Sequence, residues 1–213
     1  MVTHRDMLDA LRQFQPGDSS QAHYDAWAPD YERDLLQRCG YSAHVLGARA
    51  FAAANPDRGI RILDAGCGTG LVGAELRQYG FTCIDGLDIS ADMMAQAAAK
   101  QVYRRLIQCD LMAGAPVAQG SYDAAICVGS FAPGHLGPAA LGTIARLVRP
   151  GGCVVIFMNA APFIAEDYAG AIQRLVDERV WAIEGIDSLN YMAAFDRPGK
   201  LILAWREATG EAS

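Results

Sequence analysis

Ile60-Arg-Ile-Leu-Asp-Ala-Gly-Cys-Gly-Thr-Gly-Leu-Val-Gly-Ala-Glu-Leu76 carries a short apolar strand directly into a three-glycine turn and then into a helix. The strand, residues 60–64, ends on Asp64. Gly66, Gly68 and Gly70 follow at a spacing of two, where the missing side chains let backbone N–H groups approach a ligand closely. A helix starting near Thr69 aims its positive end at the same spot. The stretch therefore predicts a cofactor-binding turn at the carboxyl edge of a parallel sheet.

Two cofactors compete for it. Gly68-Thr-Gly-Leu-Val-Gly73 is literally G-x-G-x-x-G, and Asp88 lies 20 residues after Gly68, where a dinucleotide site places its ribose-binding acid. Against a nicotinamide or flavin dinucleotide stands Asp64, whose charge would face two phosphates. S-adenosylmethionine (SAM) has no phosphate; its ammonium and sulfonium would turn the same carboxylate into an attractive partner, directly or through water. Asp88 could hold ribose hydroxyls in either case.

Asp64-Ala-Gly-Cys-Gly-Thr-Gly70, then Leu87-Asp88-Ile89-Ser90 followed by Met93, then Cys109-Asp110-Leu111, resemble the first three motifs of class I SAM-dependent methyltransferases in their order. The resemblance covers about residues 20–160. His23-Tyr-Asp-Ala-Trp-Ala-Pro-Asp-Tyr31, Gly70–Leu76 and Val128-Gly-Ser-Phe131 are most similar to the methyltransferase-like proteins of the Williams–Beuren syndrome region. It implies an α/β, doubly wound, seven-stranded and mostly parallel Rossmann-like sheet of order 3-2-1-4-5-7-6 under an N-terminal helical lid. It implies SAM as cofactor and S-adenosylhomocysteine (SAH) as product. Gly66, Cys67 and Gly68 would supply backbone to the ligand, Asp88 would take the ribose, Ile89 and Met93 would flank adenine, and Asp110 with the Leu111 amide would meet the adenine edge. Val128 would line the site.

Composition narrows the function. A chain of 213 residues, 52% hydrophobic, makes one well-cored α/β domain with a modest appendage. We expect residues 1–55 to form the lid and 56–213 the SAM-binding domain. The net charge of −6, with Lys almost absent, disfavours a surface that tracks nucleic-acid phosphates, so a small or neutral acceptor is expected. No run of about 18 apolar residues predicts a membrane span, and residues 1–15 do not read as a secretory signal, which gives a cytoplasmic expectation. The six cysteines include no C-x-x-C pair and read as free thiols, several of them in strands. No metal site is expected.

The periodicity predicts helices over 2–14, 29–38 and 43–54, with a hinge at Gln15–Ser20. Strands and helices then alternate: strand 60–64, helix 70–79, strand 82–88, helix 91–101, strands 104–109 and 122–128, helix 136–148 and strand 152–158. Beyond these, one helix over 162–178 and a hairpin of 181–186, continuing toward Ala194, with 200–205 are expected, the last strand inserting antiparallel as the resemblance implies.

Tyr24, Trp27 and Tyr31 recur at helical spacing, but Pro29 interrupts any continuous helix. They read as an aromatic cluster packing the lid, with the tyrosine hydroxyls able to reach the cofactor or the acceptor. His135 follows the Gly/Pro loop after strand 122–128, where the methyl group would emerge. It is the catalytic candidate as general base, set against a plain cap or surface histidine. Three functions remain open: in-line methyl transfer to a small molecule driven by proximity, non-catalytic SAM or SAH binding, and an NAD-dependent oxidoreductase. The acceptor pocket is expected between the sheet's carboxyl edge, the N-terminal helices and residues 159–195. Neither the acceptor nor the oligomeric state is legible.

Overall fold

A computed structural model of the chain describes residues 21–131, 134–194 and 196–208, so the helix expected over 2–14 and the hinge at 15–20 lie outside the described residues. Seven strands form one sheet of order β3-β2-β1-β4-β5-β7-β6: β1 Ile62–Ala65, β2 Ile84–Asp88, β3 Arg105–Gln108, β4 Tyr122–Val128, β5 Val148–Asn159, β6 Trp181–Asn190 and β7 Pro198–Arg206. The first five are mutually parallel. Only β7 runs against its neighbours, pairing Cys153 with Trp205 on one side and Trp181 with Arg206 on the other. This is the order and polarity the sequence implies.

Parallel strands need helical crossovers, and the helices cover both faces. They are α1 Gln21–Trp27, α2 Ala43–Ala54, α3 Leu71–Gln78, α4 Ala91–Ala99, α5 Ala139–Leu147, α6 Ala160–Ala165 and α7 Tyr168–Asp177. One core layer joins β1, β4 and β5 to α5 and α7 through Leu141, Ile144, Tyr168 and Trp181. The other joins the opposite face to α2, α3 and the lid through Phe51, Phe81, Leu76 and Trp27. Phe51 and Phe81 meet edge to face at 5.4 Å, each fully buried, a burial worth about 1.5–3 kcal/mol per ring. Central strand β4 is apolar at almost every position because both of its faces are covered.

Three expectations need correction. Residues 29–38 are not one regular helix, since a turn follows Trp27 and Arg33–Arg38 winds as a π-helix. The helix expected over 162–178 is two, because Asp167 takes the left-handed conformation (φ 56°) and accepts from the Gly170 N–H to start α7 afresh. Helix 136–148 ends at Leu147, and β5 begins at Val148 to pair with Tyr122. The expected continuation of the 181–186 stretch is there: β6 runs to Asn190, paired with β7 across a register shift between Ile183 and Gly185.

The lid is fastened at definite points. The Trp27 indole N–H donates to buried Asp34 at 3.1 Å, and Arg38 pairs with the same carboxylate. Lys100 at the end of α4 reaches both Glu32 of the lid and the Thr69 carbonyl of the glycine turn, the latter at 2.8 Å. The Ser42 N–H donates to the Tyr191 carbonyl at 2.8 Å, tying the start of α2 to the segment after β6.

Candidate active site

The glycine turn sits where β1 gives way to α3, and its hydrogen bonds are already assigned. The Gly66 and Cys67 N–H groups both donate to the Leu87 carbonyl, at 2.7 and 2.9 Å. Gly68 N–H donates to Asp88 Oδ2 at 2.8 Å, and Gly70 N–H to the Cys67 carbonyl at 2.9 Å. The turn therefore presents open space to a ligand while keeping these four donors for itself. Gly68 stands at φ 51° with nothing within 4 Å of where a side chain would begin. A pyrophosphate needs free N–H groups in such a turn; these four are engaged.

Asp64 lies elsewhere than the sequence suggests. Its carboxylate is fully buried, does not line the cavity above the turn, and accepts the Tyr103 hydroxyl at 2.6 Å. Burial pushes its pKa up to about 7; the Tyr103 bond and the Gly73 amide oppose that rise, while the charge of Asp88 adds to it. Gly70 and Gly73 face the Tyr103 ring: a Cβ on Gly73 would come within 2.5 Å of it. The third glycine of the G-x-G-x-x-G pattern thus makes room for a tyrosine beneath the turn. Tyr103 escapes a sequence reading because it falls in a short connection before β3, its only advance sign being the room that Gly70 and Gly73 leave for a ring.

A cavity of about 510 Å³ opens over the turn. Of the residues singled out from sequence, Gly66, Cys67, Gly68, Asp88, Ile89 and Met93 line it from β1, β2 and the start of α4. Asp110, Leu111 and Val128 line it from the strand ends beyond, and Tyr24, Tyr31 and His135 from the lid and the loop after β4. Asp64 and Trp27 do not. Trp27 is buried and borders a second cavity of about 520 Å³ next door.

Asp88 is poised for more than one task. Its Oδ1 accepts from the Ser90 N–H at 2.9 Å, its Oδ2 from Gly68, and burial raises its pKa against these bonds. A carboxylate has about four lone-pair directions, so further acceptor capacity faces the cavity. Ile89 is one-third exposed at the rim, and Met93 is buried at the first turn of α4, its N–H bonded to Ser90 Oγ at 3.1 Å. Asp110 Oδ1 accepts from the Met112 N–H at 2.8 Å, which shapes the turn that carries Leu111. Burial pushes the Cys67 thiol well up, keeping it neutral.

The charge of the first cavity is one-sided. Among the described residues, Asp88, Asp110 and Glu166 line it, with His44 and His135 and no Lys or Arg. Its tyrosines stay protonated, because burial raises the pKa of Tyr24, Tyr31 and Tyr41. His135 Nε2 lies 2.6 Å from the Tyr24 hydroxyl, and both residues border both cavities, as do Tyr31, Tyr41 and Glu166. Glu166 escapes a sequence reading that runs one helix through 162–178; the break at Asp167 is what places it at the junction. Among the described residues no group of three His, Cys, Asp or Glu side chains could hold a metal ion.

Residues 62–152 match the family model described as a methyltransferase domain. Methyltransferase-like protein 27 of Homo sapiens is 38% identical over 136 residues, 62% of this chain and 55% of that protein. The malonyl-acyl-carrier-protein O-methyltransferase of Pectobacterium atrosepticum is 35% identical over 131 residues, 61% and 50% of the two chains. The chain thus spans about half the length of these relatives. An 18S rRNA (guanine(1575)-N(7))-methyltransferase of Saccharomyces cerevisiae is 42% identical over 70 residues, 33% and 26% of the chains. Among solved structures, the 4+2 cyclase SpnF superposes with TM-score 0.71 at 17% identity, over 92% of this chain and 98% of the other. That likeness carries the fold alone.

Proposed function

We propose that this chain, which carries a methyltransferase domain in the class I SAM-dependent fold, transfers a methyl group from SAM to a small-molecule acceptor. The observation that carries the reading is the pairing of an acid-lined cavity, with no Lys or Arg among the described residues that line it, with a glycine turn four of whose N–H donors are engaged. Such a site suits a ligand that is cationic at sulfur and nitrogen and has no phosphate. When bound there, SAM would supply an electrophilic methyl carbon for an acceptor's lone pair, with the sulfur as leaving group.

The chain's own residues would hold and align. Asp88 would accept from the ribose hydroxyls; Ile89, Met93 and Leu111 would sandwich the base beside Asp110; and Tyr24 and Tyr31 would close over the top. Positioning of this kind supplies several kcal/mol of rate enhancement, on the order of 7–11 in well-aligned intramolecular systems. His135 is then an auxiliary base at most, its Nε2 already engaged with Tyr24.

The second cavity supports a small acceptor, since it adjoins the first and is bordered by lid, α6 and the segment after β6. An RNA acceptor is the other reading, favoured by the rRNA-methylating relative; the chain's net charge of −6 weighs against it. On the motifs at residues 23–31 and 70–76 we place the chain nearest the methyltransferase-like proteins of the Williams–Beuren region. All six cysteines are free and no helix among the described residues is long and apolar enough to cross a membrane, which fits the cytoplasmic placement we propose.

Transfer of labelled methyl from SAM to a metabolite panel tests the reading. Turnover of at least one small metabolite is expected, and SAH binding with no acceptor turned over would leave a cofactor-binding protein. A second expectation concerns the lid. Hydrogen exchange across residues 21–38 should slow on adding SAH, because the tyrosines that roof the cavity would then contact the ligand. Equal exchange with and without SAH would make the segment a fixed cap.

A further inference from the structure

The second cavity is built largely of rings. Tyr24, Trp27, Tyr31, Tyr41 and Tyr191 border it, in edge-on and stacked contacts that fix one another: Trp27 against Tyr31 at 4.8 Å, Tyr41 against Tyr191 at 5.8 Å. Where this cavity meets the first lies Glu166, among the described residues the one carboxylate that borders both. Its Oε1 is buried without a hydrogen-bond partner. Its Oε2 has only a 3.4 Å approach from the Tyr168 hydroxyl, whose single proton is directed to the Leu136 carbonyl at 2.7 Å. A buried carboxylate oxygen left without a donor costs free energy unless a ligand supplies one. Burial also raises its pKa, against the Tyr168 contact.

Resting on the methyl-transfer reading, we propose that the second cavity receives an aromatic or similarly apolar amine, with the cationic nitrogen at Glu166 where the two cavities join. Ring faces carry negative charge density and attract an ammonium, more so when water is excluded. Among the described residues that border this cavity, the acids outnumber the cations: Glu166 and Asp196 against Arg197, which lies beside Tyr191, whose hydroxyl donates to Asn159 Oδ1. A carboxylate acceptor would have Arg197 as its one opposite charge among the described residues and would meet both Glu166 and Asp196 with like charge.

The test is calorimetric titration of the full chain with three probes of one size, 2-phenylethylamine, 2-phenylethanol and 3-phenylpropionate, with and without saturating SAH. The amine is expected to bind at least about tenfold more tightly than the alcohol, in line with a desolvated cation–π contact plus a charge-assisted hydrogen bond. Glu166→Gln should remove most of that preference, and Arg197→Gln should leave the ranking intact. Tightest binding of the propionate, binding of none of the three, or an amine preference that survives Glu166→Gln would each overturn the proposal. If the Gln variant does not fold, the wild-type ranking of amine over alcohol decides. SAH bound without amine preference overturns this inference alone, whereas failure to bind SAH overturns the methyl-transfer reading whatever the amine does.

Discussion

Asp64→Asn is expected to gain stability relative to the wild type as pH rises, by roughly 2–3 kcal/mol between pH 5 and pH 8. The folded chain holds this carboxyl at a pKa of about 7 against 3.8 in the unfolded state. Below about pH 4 both states carry it protonated and it contributes no difference. From about pH 4 to 7 the unfolded chain releases its proton while the folded chain retains it, so the unfolded state gains and stability falls. Above about pH 7 the full loss, on the order of 4 kcal/mol for about three units, is in place. Asparagine cannot ionise and keeps a carbonyl for the Tyr103 hydroxyl, so the comparison isolates the titration from any fixed packing cost. Chemical denaturation of both proteins at pH 5 and 8 measures it. A difference independent of pH would mean that Asp64 is already ionised in the folded chain.

The second large effect is on the cofactor. Asp88→Ala should weaken SAH by about 1.5–3 kcal/mol, roughly 10–150-fold, the range for hydrogen bonds to a charged group. The carboxylate also holds the Gly68 and Ser90 N–H groups, so Asp88→Asn, which retains one acceptor oxygen, should fall between alanine and wild type. Calorimetric titration of SAH into folded variants reads both. Unchanged affinity in Asp88→Ala would reduce the residue to a fastener of the turn.

The strand order and the residues around the first cavity were legible because they depend on local signals: apolar runs, glycine spacing, and acids at strand ends. Twelve singled-out side chains and backbone positions, from Tyr24 and Tyr31 through Gly66 and Asp88 to His135, do border that cavity. What misled was the direction of a side chain. Asp64 occupies its expected place at the strand tip, but its carboxylate turns beneath the turn to Tyr103, a contact across 39 residues that no local pattern encodes. The Coulomb argument it carried against phosphates passes to the engaged N–H groups of the turn and to the acid lining. Trp27 keeps the packing role, donating to Asp34. Glu166 depended on a break between two short helices that the apolar pattern runs across, although Asp167 is a recognisable cap once the left-handed turn is seen.

Thermal unfolding of the full chain with SAH and, separately, with NAD measures the central claim most directly. Because a ligand that binds only the folded state stabilises it by mass action, SAH at about 100 times its Kd should add about 2.7 kcal/mol and raise Tm, while NAD at the same concentration leaves Tm unchanged. A rise with NAD and none with SAH would contradict the account.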